Sequence, residues 1–287
     1  MGHYVSAMGL TDRQIEDIHS LEEICGRYEQ LNMKLNWDML ESRSADKNED
    51  FLYYEGGTLA GFLGLYDIQQ KSREIEITGM VHPDFRRKGI FKELFNMGRQ
   101  KCEEINAERL LLISERSKSP GIKFSEWAGG RYSFSEFRMK FESLVAPHSP
   151  ITEIFLKKAG VDDYPMISST DAECFDEHED ENLPASNDDL YKDTFIAELK
   201  GKAIGKIGLL KEGGDGYIFG FAVKPEFRGN GYGRAILCLG IEKLLNEKAG
   251  SIYLEVALEN DRALSLYKSC GFNEVTVYDY YELLLRG

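Results

Sequence analysis

The chain has 287 residues, a net charge of −14 and an unremarkable balance of 42% hydrophobic and 29% charged residues, so it reads as an ordinary globular protein. That length suggests two domains, and the acidic balance argues against nucleic acid as a partner. No apolar run reaches the ~18–20 residues of a membrane-spanning helix, and Met1-Gly2-His3-Tyr4-Val5 lacks a basic region leading into an apolar core. No membrane partner is expected. Cys25, Cys102, Cys174, Cys238 and Cys270 stand far apart with no C-x-x-C pair. That pattern suits neither a disulfide framework nor a cysteine zinc site. No metal is expected, and a reducing cytoplasmic compartment is.

The elements follow in chain order. Asp12 to about Glu41 reads as helical, with Asp12 able to cap the first turn. A glycine-turned hairpin spans Phe51 to Tyr66, a strand Glu74 to Val81, and a helix about Gly89 to Asn106. A strand follows at Leu110 to Ser114. Ala146-Pro147-His148-Ser149-Pro150 reads as a linker. After it the order recurs: helix Asp162 to about Phe175, hairpin Phe195 to Leu210, strand Tyr217 to Val223, helix about Gly231 to Lys248, strand Ser251 to Ala257, helix Asp261 to Ser269. Two closing strands complete the second set. Ile236, Leu237, Gly240, Ile241, Leu244 and Leu245 place one apolar face on the long helix. Strands with helices between them predict an α/β class with a mixed sheet.

The recurrence is also one of residues. Phe51-Leu52, Gly57, Gly61 and Leu63-Gly64-Leu65 match Phe195-Ile196, Gly201, Gly205 and Ile207-Gly208-Leu209. Val81-His82-Pro83-Asp84-Phe85-Arg86 matches Val223-Lys224-Pro225-Glu226-Phe227-Arg228. Two tandem copies are expected, 1–148 and 149–287.

The second copy carries the chemistry. Arg228-Gly229-Asn230-Gly231-Tyr232-Gly233-Arg234-Ala235 sets alternating glycines between a strand and a helix. Glycine permits left-handed dihedrals and close approach, so successive N–H groups at the helix start can face one anion. Arg228 and Arg234 add charge suited to a diphosphate. The bland alternative is a glycine turn with two solvated arginines. The G-x-G-x-G spacing is not the G-x-G-x-x-G of a dinucleotide fold. On the strand, Tyr253, Glu255 and Ala257 share one face, which makes Glu255 a base candidate or a solvent-facing carboxylate. Ala263, Leu266, Tyr267 and Cys270 share a helix face, so Tyr267 is an acid candidate or a core tyrosine.

Taken together, V-x-P-x-x-R-x-x-G-x-G, then L-E-V, N-x-x-A-x-x-L-Y and G-F resemble the GNAT family of acetyl-CoA-dependent N-acetyltransferases. The L-E-V and tyrosine spacing is similar to its ribosomal-protein alanine N-acetyltransferases, and the tandem layout to mycothiol synthase. The resemblance implies acetyl-CoA as cosubstrate and a small-molecule or peptide amine as acceptor. It implies that Phe221, Ala222 and Val223 bond the pantetheine arm, that residues 228–235 hold the diphosphate, and that Asn260 contacts the arm. It gives Tyr267 the proton for the departing thiolate and Glu255 the role of general base. A CoA-binding regulatory or scaffolding protein without turnover is the other class left open.

In the first copy Arg86-Arg87-Lys88-Gly89-Ile90-Phe91 keeps R-x-x-G but loses the last glycine. With Val81 it forms a second candidate CoA site. Aligned from Leu110, Ser119 takes the asparagine's place and Glu126 the tyrosine's, so no catalysis is expected there. The carboxylate-rich segment Asp171 to Asp193 has two readings, a solvated loop or a wall favouring a cationic acceptor. His178 within it is a weak metal signal. Tyr278, Tyr280 and Tyr281 read as acceptor-cleft lining or as packing. The oligomeric state is not indicated.

Overall fold

In a computed structural model the chain is described over residues 2–68, 73–143, 153–175 and 191–285. It forms two compact units that are not linear segments. One comprises Met1–Glu136 with Thr276–Gly287, the other Phe137–Val275.

The first unit opens with β1 (His3–Met8), which sequence reading missed. Helix α1 (Asp12–Glu29) follows. Its cap is Thr11 rather than Asp12: the Thr11 side chain accepts from Gln14 N–H, and Gln14 bonds back in a capping box. The long helix predicted to Glu41 stops at Gln30, where φ is 53°, and resumes only as α2 (Trp37–Glu41). Strands β2 (Asn48–Glu55), β3 (Thr58–Tyr66) and β4 (Glu74–Val81) form an antiparallel run, and β5 (Arg109–Glu115) pairs parallel to β4. Helices α3 (Ile90–Glu104) and α4 (Ser119–Trp127) connect them, and β6 (Arg131–Phe141) closes the copy.

The second copy repeats this as β7 (Ile154–Lys158), α5 (Tyr164–Phe175), β8 (Thr194–Leu199), β9 (Lys202–Glu212), β10 (Asp215–Val223), α6 (Tyr232–Asn246), β11 (Ile252–Ala257), α7 (Asp261–Ser269) and β12 (Phe272–Leu284). Each copy therefore ends in one long strand, not two. Those strands are shared out: the β12 segment from Thr276 belongs to the first unit, where Tyr278–Leu284 pairs antiparallel with Glu115–Arg109. The β6 segment from Phe137 belongs to the second unit, next to β11.

In the first unit Leu63, Ile77, Leu94, Leu110 and Leu112 form a core under α3, and Ile18, Leu21, Leu52, Phe62 and Met80 form another under α1. In the second, Ile207, Ile218, Ile236, Ile241, Leu244, Leu254 and Phe272 pack between the sheet and α6 and α7. Leu245, predicted on the buried face of α6, is exposed. The same device brings helix to sheet in both copies. A Cβ on Gly98 of α3 would stand 2.9 Å from Leu63, and one on Gly240 of α6 would stand 2.8 Å from Ile207.

Candidate active site

The second unit's site grows from a fault in its sheet. The β9–β10 ladder is irregular between Phe219 and Ala222, where Gly220 takes φ 51°. A bulge of this kind bends a strand and re-aims its groups. The parallel pairing of β10 with β11 covers only Gly216–Ile218 against Ile252–Leu254. Past that point Lys224 N–H donates to Ile204 O at 2.9 Å. By the alternation of an antiparallel ladder, the Val223 N–H then points away from β9, toward β11.

The glycine loop follows directly. Gly229 and Gly231 both have φ 80°, and Gly231 is the N-cap of α6 without a side-chain cap. The first helical bond is Ala235 N–H to Gly231 O at 3.2 Å. The N–H groups of Tyr232, Gly233 and Arg234 thus have no carbonyl one turn back and face outward from the helix start, where the helix dipole favours an anion.

Both arginines also bond within the protein. Arg228 Nε donates to Val223 O at 2.8 Å, and its Nη2 lies 3.3 Å from Cys174 Sγ. Arg234 Nη1 donates to Ser269 O at 2.8 Å. Both guanidinium groups brace the strand end and the end of α7. Cys174, on α5, was not singled out in the sequence. Its signal is its counterpart: in the first unit Cys25 and Arg86 converge on Val81 O at 3.5 and 2.9 Å.

Asn260 caps α7, its Oδ1 accepting from Ala263 N–H at 3.1 Å. Tyr267 is 7% exposed and its ring lies 6.3 Å from Phe221 and 6.2 Å from Phe272. Burial pushes its phenol up to about 12, with the Cys270 thiol acting in the same direction. Such a group stays protonated at neutral pH. Glu255 is half-buried on the face of β11 that also carries Tyr253. The Tyr253 ring stacks with Tyr217 at 5.9 Å and carries Arg138 at 4.6 Å and Lys140 at 5.7 Å. This face is therefore not uniformly acidic.

Most of the carboxylate segment, from Asp176 to Asp189 and including His178, lies outside the described residues, as does the linker at 146–150. Of the rest, Asp171 pairs with buried Lys206. Among the described residues no group of His, Cys, Asp or Glu is arranged to hold a metal. No described helix is long and apolar enough to cross a membrane.

The first unit keeps the frame and changes the contents. Gly89, with φ 82°, caps α3 as Gly231 caps α6. Arg86 forms a two-pronged ion pair with Glu29, at 2.7 and 3.1 Å. Phe91 packs edge-on against Phe124 at 4.6 Å. Helices α4 and α7 have the same length, with Lys118 and Asn260 as N-caps. Counted from those caps, Lys118 and not Ser119 takes the place of Asn260. Tyr267 is then matched by Ser125, not Glu126. No phenol stands there. Tyr278, Tyr280 and Tyr281, read as acceptor-cleft lining or as packing, are buried in the first unit. Val81, Arg86, Arg87, Gly89, Ile90 and Phe91 line a cavity of about 860 Å³ in that unit. Lys88 turns away and donates to Asp84 O at 3.1 Å.

Comparison with known proteins agrees with this duplication. The family model described as Acetyltransferase (GNAT) family matches twice, over residues 14–126 and 163–272. Mycothiol acetyltransferase of Thermobispora bispora is 27% identical over 79% of this chain and 80% of its own length. The ribosomal protein bS18-alanine N-acetyltransferase of Escherichia coli is 40% identical over 21% of this chain, spanning only 40% of that protein. The fold matches a GCN5-related N-acetyltransferase from Sphaerobacter thermophilus with TM-score 0.77 at 17% identity, covering 99% of this chain and 96% of that one. It also matches a tandem GNAT protein from the clavulanic acid biosynthesis pathway, with TM-score 0.71 at 15% identity, over 99% of this chain and 98% of that one. With both copies matched over most of their length, the chain belongs to the acetyltransferase (GNAT) family and is an acyltransferase built from two tandem copies.

Proposed function

We propose an acetyl-CoA-dependent N-acetyltransferase in which residues 149–287 carry catalysis and residues 1–148 form a degenerate copy. One observation carries the assignment to the second copy. The outward N–H groups of α6, the Val223 N–H and the Tyr267 phenol all stand at the same end of β10, and the first copy has no such phenol. The loop from Arg228 to Ala235 holds the diphosphate on backbone N–H groups. Phe221, Ala222 and Val223 line the pantetheine arm beside Asn260. The Val223 N–H donates to the thioester oxygen as negative charge gathers on it. The acceptor ammonium loses its proton to Glu255, directly or through water. The neutral nitrogen then attacks the acetyl carbonyl, the C–N bond forms, the C–S bond breaks, and the leaving sulfur takes its proton from Tyr267; the nitrogen gives up its second proton to leave the neutral amide, and through water that proton restores the Tyr267 phenol. No enzyme-bound acyl group is needed, so Cys238 and Cys270 serve as core.

The acceptor is an amine. Mycothiol acetyltransferase and the ribosomal-protein enzymes mark its two broad classes, small molecule and protein N-terminus. The carboxylates of residues 171–193 favour a cationic acceptor, whereas Arg138 and Lys140 over Tyr253 favour an acceptor with an anionic group beside its amine. A panel of small amines and N-terminal peptides, read by thiol release from acetyl-CoA, tests the assignment. Turnover with at least one amine is expected. Tight CoA binding without turnover on any would leave a CoA-binding protein instead.

A further inference from the structure

The sheet of the second unit has two faces, and the core under α6 and α7 fills one. Met139 of β6, Leu254 and Val256 of β11 and Ile218 of β10 point into it. Strand residues alternate between faces. Arg138 and Lys140, Tyr253 and Glu255, and Tyr217 and Phe219 therefore stand on the opposite face, on three neighbouring strands. Phe219 is exposed there, and the other five are half-buried. Arg138 and Lys140 are two residues apart, so their backbones are separated by ~7 Å. Both cations nonetheless sit over the one ring of Tyr253, at 4.6 and 5.7 Å. Two like charges drawn this close repel each other, and an anion between them relieves the repulsion.

The fold does not demand this arrangement. Two fixed points match the copies here. The parallel pairing stops after Leu112 in β5 and after Leu254 in β11, and Gly129 and Gly271, with φ 91° and 98°, precede β6 and β12. Leu111 and Ile113 then take the places of Tyr253 and Glu255, and Tyr280 and Glu282 those of Arg138 and Lys140. The pair of cations belongs to the second copy alone. Most described carboxylates nearby are engaged elsewhere. On α5, Asp171 pairs with Lys206, and Glu173 accepts from the Ser169 hydroxyl at 3.3 Å. Glu212 and Asp215, which act on Tyr217, belong to the β9–β10 turn, where Asp215 accepts from Ser251 N–H at 3.0 Å. Among the described residues the middle of this face therefore sets Glu255 beside two cations.

We propose that Arg138 and Lys140 select the acceptor, and that it is a small amine with an anionic group, a carboxylate or phosphate, at the far end of a short chain. The strand geometry sets the spacing. Glu255 lies two residues beyond Tyr253, toward the strand end where Val223 and Tyr267 stand. The anion over Tyr253 therefore sits about one strand repeat, ~7 Å, behind the amine at Glu255. An α-amino acid is too short to span that distance, and a diamine brings the wrong charge to the cations. The inference rests on the second unit being the amine site. Binding is measured apart from turnover, so that the two readings fail separately.

The whole chain, saturated with coenzyme A, is titrated by calorimetry with δ-aminovalerate, n-pentylamine, cadaverine and glycine. The first three share one chain length and differ only in the far group. δ-Aminovalerate should bind most tightly, and the same order should appear in kcat/KM with acetyl-CoA. Its advantage over n-pentylamine should fall ~10-fold or more in Arg138→Gln and in Lys140→Gln. Arg138→Lys, which keeps the charge, should retain most of it. Thermal melting checks that each variant is folded. No binding of any probe, or n-pentylamine, cadaverine or glycine binding as tightly as δ-aminovalerate, would overturn the proposal. So would glutamine variants that lower kcat alike for δ-aminovalerate and n-pentylamine, since that would make the two cations partners of Glu255 and not of the acceptor. The expected binding order with no turnover of any amine would remove the transferase reading and leave this site standing. Turnover with no preference for the anionic probe would do the reverse.

Discussion

Replacing Tyr267 by phenylalanine separates chemistry from packing. The ring sits between Phe221 and Phe272, and phenylalanine keeps those contacts. Only the hydroxyl is lost, and among the described residues it makes no hydrogen bond. Folding stability should therefore change by less than ~1 kcal/mol, which moves the melting temperature by no more than ~4 °C in a chain of this size. If the phenol protonates the leaving thiolate, kcat should fall ~10²–10⁴-fold, or ~3–5 kcal/mol of barrier at 1.36 kcal/mol per tenfold. Acetyl-CoA affinity should hold, because the diphosphate rests on the glycine loop. The wild-type phenol, pushed up to about 12, should keep its proton across the assay range, so kcat should show no basic limb from this group below pH ~11. The stability linkage has the matching sign. A phenol whose folded value lies above the usual 10 contributes stability that is complete below pH ~10 and lost as pH rises through about 12. Steady-state thiol release, coenzyme A titration and thermal melting on one variant measure all three. Near-wild-type kcat with a lowered melting temperature would refute the acid role and return Tyr267 to the core.

Gly231→Val should weaken acetyl-CoA binding at the second unit by ~10-fold or more, because φ 80° is foreign to a β-branched residue and its side chain would shield the N–H groups; unchanged affinity by calorimetry would rule out the loop as the diphosphate site. Gly205→Ala should destabilise the second unit by ~1–3 kcal/mol, since its Cβ would stand 2.2 Å from the backbone oxygen of Ala222; an unshifted denaturation midpoint would contradict that packing. Residues 1–148 expressed alone should fail to fold cooperatively, because β5 then loses its partner Tyr278–Leu284; a sharp melting transition in that fragment would show that the shared strand is dispensable. If the segment 171–193 selects cationic acceptors, acceptor KM should rise with salt as screening shortens to ~8 Å near physiological ionic strength; a salt-independent KM would remove that reading.

What could be read from the sequence was local. The helices α6 and α7 announce themselves by Gly231 and Asn260 at their starts and by apolar spacing behind them. The parallel strands β4, β5, β10 and β11 announce themselves as short apolar runs between breakers. β1 and β7 were missed because His3–Met8 and Ile154–Lys158 are short strands at the ends of the strand order, paired on one side only and largely exposed. The stop at Gln30 was missed because a non-glycine residue took the left-handed turn. The sharing of β6 and β12 could not be seen at all: a strand's own residues show that it pairs, not with which copy. That is why Tyr278, Tyr280 and Tyr281 could be read either as cleft lining or as packing. Within the site, Gly229, Gly231, Val223 and Tyr267 do stand at one strand end. The braces from Arg228 and Cys174 were invisible because they depend on long-range meeting of α5 and β10. The alignment of Ser125 with Tyr267 needed the helix start, which Pro120 and Gly121 blur in sequence.

Following the acetyl group itself tests the central claim most directly. The whole chain is incubated with acetyl-CoA labelled in its acetyl group and with the amine panel, and the label is traced by mass spectrometry. Direct transfer in the second unit predicts label on the acceptor nitrogen as an amide, one thiol released for each amide formed, and no label on the protein. Label retained on Cys238 or Cys270, or thiol release with no amide from any amine, would contradict it.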